Sequence, residues 1–408
     1  MEGKRFIRTL EMQNLLSFGN DGTKIELQPL NVLIGPNASG KSNVLEALEL
    51  LRATPGDLTL PIREGGGIAD WLWKGADKTP VANIAVTVEY PFGKTPDIPL
   101  RYSLSFTMVG QRTELVDEAV ENERRSKLGE RDVLFFYRYQ QGRPVLNIVA
   151  DTGDGPGLTV GRTERHLRRE DLSPDQSVLS QRKDPDLYPE LTYLGRQFAN
   201  VHLYREWSLG RYTEPRRPQQ ADLPGDFLLE NASNLALVVN SLQHGSANEL
   251  LVENLRKFYP EAENLSTRVS GGTVQLFVHE KGLRSPIAAT RLSDGTLRYL
   301  CLLTMLCHPE PPPLICIEEP ELGLHPDILP TVAELMIDAS QRTQLIVTTH
   351  SEALVSALSD VPEAVLVCEH REPGTELRRL DPENLKEWLE HYSLGDLWRM
   401  GEIGGTRW

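Results

Sequence analysis

Three strand-like runs dominated by apolar residues, Val32–Ile34, Leu314–Ile317 and Gln344–His350, each lead into small or polar residues. A short apolar run of this kind predicts a strand that is buried on both faces, as in a parallel sheet covered by helices. After the first run, apolar residues recur at helical spacing, at Val44, Leu45, Leu48 and Leu51. This succession of buried strand, loop and helix predicts an α/β fold.

The loop after the first run reads GPNASGKS, which has the spacing G-x-x-x-x-G-K-S. Two glycines allow backbone N–H groups to curl around an anion, and the helix that follows turns the positive end of its dipole toward it. We expect Lys41 to reach the β- and γ-phosphates of a nucleotide and Ser42 to ligate Mg²⁺. A plain Gly-Ser turn is the alternative. The predicted nucleotide-binding residues are Gly35, Pro36, Asn37, Ala38, Ser39, Gly40, Lys41, Ser42 and Asn43.

The second run ends in two carboxylates, as expected of a Walker B strand. We expect Glu318 to orient Mg²⁺ through water, although this position is more usually Asp. Glu319, one residue further on, is expected to polarise the attacking water as the catalytic base. An acidic loop after a strand is the alternative interpretation.

The third run ends in His350, and Ser351 follows it as a candidate N-cap for the next helix. Ligand-contacting groups lie at the carboxyl edge of an open α/β sheet, and an imidazole there can hydrogen-bond a γ-phosphate. A histidine at a strand end is as often structural. The functional prediction therefore depends on the order of His350 after the phosphate loop and the paired glutamates.

The sequence LSDG, at Leu292–Gly295, precedes a strongly apolar helix. Ser293 and the backbone at Gly295 expose hydrogen-bond donors at the N-terminus of that helix, which makes a second anion site. Because the first loop already holds the chain's own nucleotide, we expect this site to bind the γ-phosphate held by another copy. Two copies would then close over two nucleotides in a head-to-tail arrangement with two-fold symmetry. A plain helix cap is the alternative.

The net charge of −15 argues against a protein that coats nucleic acid through bulk charge, although it leaves room for a local basic groove. One stretch, Tyr204–Pro218, interleaves arginines with aromatic residues, a mixture that can hold phosphates and stack bases. The alternative is a partly buried surface loop with solvated arginines, because Glu206 and Glu214 dilute its charge.

The composition, 39% apolar and 25% charged residues, is ordinary for a globular protein. No run approaches the about 18 apolar residues of a membrane span, and the N-terminus has no apolar run of signal-peptide length. We therefore expect a cytoplasmic protein without membrane association. Four cysteines lie in apolar segments without metal-ligand spacing and are expected to be reduced core residues, without disulfide or zinc: Cys301, Cys307, Cys316 and Cys368.

Together, GPNASGKS, LSDGT, ICIEEPE, LGLHP and TTHS resemble the motif set of ABC-type ATPases. EEPE followed by LHP is more narrowly similar to the RecF, Rad50 and OLD branch, AAA-family ATPases of the AAA_21 type. The resemblance implies an ATP- and Mg²⁺-dependent ATPase, with Ser42 and Glu318 at the metal. It also implies that Glu319 is the catalytic base and His350 the switch histidine.

The same resemblance implies a second set of residues that faces the nucleotide of the partner copy. Ser293 would be the signature serine, beside Asp294 and Gly295, and His325 would lie in the D-loop, against the partner. Asp294 stands where many signatures have glycine, and no Q-loop glutamine is evident in the sequence.

The motifs lie toward the two ends of the chain, so the resemblance implies an ABC-type P-loop ATPase head with a mixed, mostly parallel sheet core, split by a large α+β insertion. We expect the first part of the ATPase lobe at residues 1-90, the inserted arm at 91-285, and the second part of the lobe at 286-408. Inside the arm, RYSLSF predicts a strand, whereas the charged stretches Val116–Gly129 and Gly161–Glu170 predict helices. Sustained heptads are absent, so no extended coiled coil is expected.

Two aromatic features have open interpretations. Trp71 and Trp73 lie in a glycine-rich loop and mark either a partner or base contact or the anchoring of an irregular loop in the core. The tail has apolar residues on one helical face, and it either packs on its own head or offers tryptophans to a partner. The tail residues concerned are Leu385, Trp388, Leu389, Tyr392, Trp398 and Trp408.

We favour an ATP-driven conformational switch, in which ATP joins two heads, hydrolysis lets them part, and the motion acts on DNA or a separate effector. The residues after His350 are too few for a TOPRIM nuclease domain of about 100 residues. The resemblance therefore implies a separate partner, such as a TOPRIM-like nuclease or toxin, in antiphage defence or DNA maintenance. The alternatives are the energising subunit of a membrane transporter, which would need a Q-loop and a compact helical domain, and a nucleotide-gated scaffold with little turnover.

Overall fold

The structure is a computed structural model, and it describes residues 2–92, 98–125, 132–140, 142–151, 160–243 and 246–405. Its strands, in chain order, are β1 Ile7–Gln13, β2 Thr23–Glu26, β3 Leu30–Ile34, β4 Ala82–Val88, β5 Leu100–Val109, β6 Arg112–Asn122, β7 Phe135–Gln140, β8 Arg143–Asp151, β9 Val160–His166, β10 Val201–Tyr204, β11 Gln219–Gln220, β12 Ala262–Ser270, β13 Thr273–Glu280, β14 Ile287–Ala288, β15 Leu314–Glu318, β16 Gln344–Thr348, β17 Val365–Arg371 and β18 Gly374–Arg379.

The α-helices of the same residues, in chain order, are α1 Lys41–Ala53, α2 Thr59–Glu64, α3 Ile68–Trp71, α4 Val178–Gln181, α5 Pro189–Ala199, α6 Leu235–Leu242, α7 Ser246–Phe258, α8 Asp294–Leu306, α9 Leu329–Ala339, α10 Glu352–Ser356, α11 Pro382–Leu389 and α12 Leu394–Met400. In this described part of the chain, none of the helices has the length and apolar character needed to cross a membrane.

The core of the molecule is a six-stranded sheet in the order β10-β15-β16-β3-β17-β18. The first five strands are parallel, and β18 runs antiparallel at one edge. The three runs predicted as buried strands are β15, β16 and β3, and every residue of β3 and β16 is buried. Successive residues of β3 face opposite layers, because Val32 packs with the residues of α8 and α9 whereas Leu33 packs with those of α1. The expected α/β fold with a mixed, mostly parallel core is confirmed.

An eight-stranded antiparallel sheet, in the order β2-β1-β4-β5-β6-β7-β8-β9, lies across α1 and α5 from the core sheet. One side chain ties the two sheets together. Gln344 of β16 is fully buried, and its Oε1 accepts the backbone N–H of Ile7 at 2.8 Å while its Nε2 donates to the carbonyl of the same residue at 2.8 Å. A buried amide with both ends satisfied fixes β1 against the core sheet.

A small sheet of β11, β13, β12 and β14 packs against α6, and its last strand, β14, is followed by Ala289–Arg291 and then α8. Helix α8 is buried along most of its length among α6, α7 and α9. The cysteines Cys301, Cys307, Cys316 and Cys368 are buried in the core, as predicted. The small sheet and its helices therefore carry the LSDG sequence at the N-terminus of α8.

Two helix predictions in the middle region are wrong. The stretch Val116–Gly129 begins in β6, and Gly161–Glu170 begins in β9, although Gly129 itself lies outside the described residues. Antiparallel pairing of β6 with β5 and β7 holds this part of the chain as a strand, and such long-range pairing overrides the local charge pattern. The division at residues 90 and 285 stays a prediction, and β10 from the middle region joins the core sheet.

Strand β6 is tied to α4 by a buried carboxyl group. Glu118 accepts hydrogen bonds from the hydroxyl of Tyr102 at 2.8 Å, the hydroxyl of Ser177 at 2.5 Å and the backbone N–H of Val178 at 2.9 Å. Its burial raises the pKa of Glu118 to about 7, although the three hydrogen bonds oppose the rise. The folded protein therefore binds a proton here that the unfolded chain has lost at neutral pH.

We predict that Glu118→Gln changes the pH dependence of stability. The raised pKa means that the contribution of Glu118 is complete below its ordinary value of 4.5 and is lost as the pH rises through about 7. The variant should therefore gain about 3 kcal/mol relative to the parent between about pH 5 and pH 8. Thermal or urea unfolding of both proteins across this range measures the gain. A difference that does not vary with pH would contradict the prediction.

Candidate functional site

The predicted phosphate loop connects β3 to α1, and its shape depends on residues with positive φ angles. Gly40 has a φ of 100° in the left-handed region and precedes the first residue of α1. A Cβ at Gly40 would collide with the hydroxyl of Thr375, so a glycine is required at this close approach. Ala38 also has a positive φ, of 64°. The chain therefore turns sharply just before α1. The unpaired backbone N–H groups at the N-terminus of α1 then face the space that the loop encloses.

Two side chains outside the motif support this loop, and neither was predicted from the sequence. Thr375 of β18 donates its hydroxyl to the carbonyl of Ser39, at 3.0 Å, and lies 2.7 Å from the hydroxyl of Ser17. Ser17, in the turn after β1, also accepts a hydrogen bond from Asn43 at 2.7 Å. The loop is thus fixed by two segments that are far from it in sequence.

Lys41 is the first residue of α1 and lies inside the loop. Its ammonium donates to the carbonyls of Gly35 at 2.8 Å and Pro36 at 3.0 Å, and the residue is 7% exposed. Burial lowers the pKa of Lys41, while the carboxylates of Glu318 and Glu319 oppose this change. These carboxylates show that the cation and the end of β15 share one electrostatic environment.

The residues predicted to hold Mg²⁺ are in contact. The hydroxyl of Ser42 donates to Oε1 of Glu318 at 2.5 Å, which joins α1 to the end of the Walker B strand. A hydroxyl and a carboxylate at the mouth of a phosphate loop are the oxygen ligands that Mg²⁺ prefers. In addition, the buried hydroxyl of Ser39 has no hydrogen-bond partner among the described residues. The ligand chemistry and this unpaired group fit a nucleotide with its Mg²⁺ ion.

Glu319 and His350 meet at the carboxyl ends of β15 and β16. Glu319 has a φ of 48°, and its backbone N–H donates to the carbonyl of Thr348 at 2.9 Å. Its Oε1 lies 3.8 Å from Nε2 of His350. Burial, and then the charge of Lys41, lower the pKa of His350, so that its imidazole is neutral at neutral pH. A neutral imidazole can accept as well as donate a hydrogen bond.

Glu321 is a site residue for which no role was predicted from the sequence. Its Oε1 accepts the hydroxyl of Thr349 at 2.6 Å and the backbone N–H of His350 at 2.9 Å. The buried Oε2 has no hydrogen-bond partner in the described residues. Glu321 therefore fixes the loop that carries His350, and its position in the EEPE motif was the available signal.

The signature residues lie at the N-terminus of α8. Ser293 is the N-cap, and its hydroxyl accepts the backbone N–H of Thr296 at 3.0 Å. A Cβ at Gly295 would lie 2.8 Å from the carbonyl of Gly323, so the absence of a side chain lets the predicted D-loop approach. His325 in that loop is 73% exposed and lies 3.2 Å from the carboxylate of Asp327. The structure thus brings the signature and the D-loop together on one surface.

The arginine- and aromatic-rich stretch makes internal contacts. Arg205 lies 3.1 Å from the carboxylate of Glu49 on α1, and the indole N–H of Trp207 donates to the carbonyl of Glu230 at 3.1 Å. The guanidinium of Arg298 lies 5.3 Å from the centre of the Trp207 ring. Arg205 is therefore an internally paired residue, and its predicted solvation is wrong. Phosphate binding and base stacking by this stretch stay a prediction.

The remaining aromatic predictions have mixed outcomes. Trp71 is 1% exposed, which confirms core anchoring for this residue. Trp398 is buried, and its indole N–H donates to the carbonyl of Gly405 at 3.0 Å, so this part of the tail packs on its own head. Trp408 lies outside the described residues.

Comparison with known proteins agrees with this arrangement of motifs. A family model described as "AAA domain, putative AbiEii toxin, Type IV TA system", AAA_21, matches residues 30–356, which is most of the chain. The chain belongs to the AAA_21 family. No curated protein matches it significantly.

Solved structures similar to this AAA_21 protein include heads of Smc proteins. An Smc head bound to the C-winged helix domain of ScpA has a TM-score of 0.56 at 14% identity, over 93% of this chain and 99% of that one. The Smc head of Pyrococcus furiosus, with an extended coiled coil, has a TM-score of 0.55 at 13% identity, over 94% and 98%. At such low identities the similarity shows the fold, which is that of an ABC-type P-loop ATPase head.

We predict that Glu321→Ala lowers ATP hydrolysis by about 10- to 100-fold. The variant loses the acceptor that holds Thr349 and His350, whereas Lys41, Ser42 and Glu318 are unchanged. Binding of a fluorescent ATP analogue should therefore stay close to that of the parent, while phosphate release falls.

The matched control is Glu321→Gln, which keeps one acceptor oxygen and should retain more activity than Glu321→Ala. Thermal unfolding of both variants reports on folding. Full hydrolysis by folded Glu321→Ala would contradict the positioning role of Glu321.

Proposed function

We propose that this AAA_21 protein binds and hydrolyses ATP with Mg²⁺ in composite sites formed between two copies of the chain, and that the resulting motion switches a separate effector or DNA. The observation that carries the proposal is the convergence of Ser42, Glu318 and Glu319 where α1 meets the end of β15. Family membership and the fold support ATPase chemistry.

In the proposed reaction, residues of this chain bind the phosphates and activate water. The N–H groups of the loop and the ammonium of Lys41 would neutralise the phosphate oxygens, with Ser42 and Glu318 holding the metal. Mg²⁺, when bound, adds positive charge that stabilises the transferring phosphoryl group. Glu319 would accept the proton of the attacking water, and neutral His350, 3.8 Å away, would hydrogen-bond the γ-phosphate.

The second copy of the chain would bind at the N-terminus of α8, where Ser293 lies. Ser293 caps α8, a helix of 13 residues whose N-terminus favours an anion. The N-terminus of α1 already binds the chain's own phosphates in this proposal. We therefore assign the hydroxyl of Ser293 and the backbone N–H groups of Asp294 and Gly295 to the γ-phosphate held by the partner. His325, exposed in the adjacent D-loop, would contact the partner as well. This arrangement is a homodimer with two equivalent sites.

The proposed switch acts on another molecule. The description of the family names a putative toxin of a toxin–antitoxin system, and both Smc heads described above are bound to a domain of ScpA, so a protein partner is the precedent among these similar proteins. For this chain we propose a cytoplasmic switch that acts on a separate effector, such as a TOPRIM-like nuclease or toxin in antiphage defence, or on DNA.

The two alternative functions are less well supported. A transporter subunit would need a compact helical domain between the motifs, but strands β4 to β9 and β12 to β14 occupy much of that region. A scaffold with little turnover would not need Glu319 and His350 beside each other at the end of the sheet.

We predict that Glu319→Gln binds ATP without turning it over. Glutamine keeps the size and hydrogen bonding of glutamate but cannot take up the proton of water. ATP should then accumulate in the closed dimer, which light scattering coupled to size exclusion detects as a doubling of the mass. Adding Ser293→Arg should abolish this dimer and leave ATP binding by the single chain intact.

Two results would contradict the proposed function. Undiminished hydrolysis by Glu319→Gln would show that Glu319 is not the catalytic base. Normal hydrolysis by Ser293→Arg alone would refute the shared site.

A further inference from the structure

A buried arginine, Arg216, donates hydrogen bonds to the residues on both sides of Ser293 in the signature loop. Arg216 is 5% exposed, and its guanidinium donates to the carbonyl of Leu292 and to Oδ1 of Asp294. Its Nε donates to the carbonyl of Leu209 at 2.8 Å. Leu292 and Asp294 are the two neighbours of Ser293, so one planar group holds the chain immediately before and after the signature serine.

The two partners of this ion pair differ in their exposure to solvent, which is unusual for a structural ion pair. The side chain of Arg216 is 6% exposed, whereas that of Asp294 is 70% exposed. A solvated carboxylate loses side-chain entropy when it is held in one place and gains little from an exposed ion pair. The buried guanidinium, in contrast, requires acceptors for its donors. The pair therefore satisfies Arg216, and it restrains a residue that would otherwise move freely at the surface.

The arginine is itself anchored to the catalytic sheet. It belongs to the segment that follows β10, the strand that pairs in parallel with β15 and places Tyr204 opposite Ile317. The segment starts at Arg205, which contacts Glu49 on the phosphate-loop helix α1. Its Trp207 lies under Arg298 of the signature helix α8. The grip of Arg216 thus sets the position of Ser293 relative to the core sheet as well as to its own helix.

We propose that Arg216 is a positioning residue of the composite ATP site, which holds Ser293 in the place required by the nucleotide of the partner copy. This inference rests on the proposed function. It assigns a role to Asp294, which stands where many ABC signatures have glycine: the carboxylate is the acceptor that the guanidinium needs at this position. Arginine suits the role because its rigid fork can hold several acceptors at once, which lysine cannot do.

The test uses the full-length chain carrying Glu319→Gln, so that ATP binding and dimer formation are measured without turnover. Sedimentation velocity with ATP and Mg²⁺ gives the dimer dissociation constant, and a fluorescent ATP analogue gives binding by the single chain. In this background, Arg216→Lys keeps the charge but loses the fork. It should weaken the dimer by about tenfold or more. Binding by the single chain should change by less than about twofold.

Asp294→Ala is the second variant. The side chain of Asp294 is 70% exposed, so water can replace its carboxylate as the acceptor for Arg216 and the chain should fold, which thermal unfolding checks. Loss of this acceptor frees the signature loop, so the dimer should weaken in the same direction. Removal of a negative charge beside a phosphate acts the other way, so an unchanged or tighter dimer would show that Asp294 acts through its charge and would overturn the proposal. The matched control is Arg217→Gln, a change in the neighbouring exposed arginine, which should leave the dimer unchanged.

The outcomes separate the inference from the proposed function. If the Glu319→Gln parent forms no ATP-dependent dimer, the proposed function fails. If the parent dimerises and Arg216→Lys dimerises equally well, the role of Arg216 fails while the proposed function stands. Equal loss of single-chain ATP binding and dimer formation would show a merely structural role and would also overturn the inference. If Arg216→Lys does not fold, Asp294→Ala decides.

Discussion

The parallel arrangement of β3, β15 and β16 is the constraint on which the rest of the molecule depends. These strands are buried on both faces, so helices have to cover both sides of the sheet, and parallel strands have to end at one edge. The residues that follow the three strands, far apart in sequence, therefore meet there. Ser42 contacts Glu318, and Glu319 lies near His350, because β16 pairs in register with both β15 and β3.

The sequence was most informative where a motif and its structure are local. The strand, loop and helix around GPNASGKS and the strand that ends in Glu318 follow from spacing and flanking apolar runs, and the structure has these elements. The roles of the site residues stay predictions. Residues that act through tertiary contact were missed. Thr375 supports the loop from β18, and Arg216 reaches the signature from another segment, so neither has a partner near it in sequence. The strand β6 was misread as a helix for the same reason, because pairing with β5 and β7 decides its period.

The predicted functional residues lie at the N-termini of two helices, α1 and α8. Helix α1 begins at the loop of its own chain, whereas α8 begins at Ser293, beside the predicted D-loop, where we propose that the partner's nucleotide binds. The segment from Arg205 to Arg216 contacts both helices, through Glu49 on α1 and Asp294 on α8. The segment therefore bridges the helix that follows the phosphate loop and the helix that carries Ser293.

The most direct test of the shared site is a mixing experiment with two inactive chains. Lys41→Ala lacks the cation that binds phosphate but keeps its signature, and Ser293→Arg keeps its phosphate loop but presents a blocked signature. In a head-to-tail dimer of the two, one site combines the intact phosphate loop of Ser293→Arg with the intact signature of Lys41→Ala. The other site combines the two altered halves and binds no ATP. Steady-state phosphate release should be near background for each chain alone, and should rise and saturate as Lys41→Ala is added to Ser293→Arg. Release that stays at the sum of the two separate rates would contradict a site made from two chains.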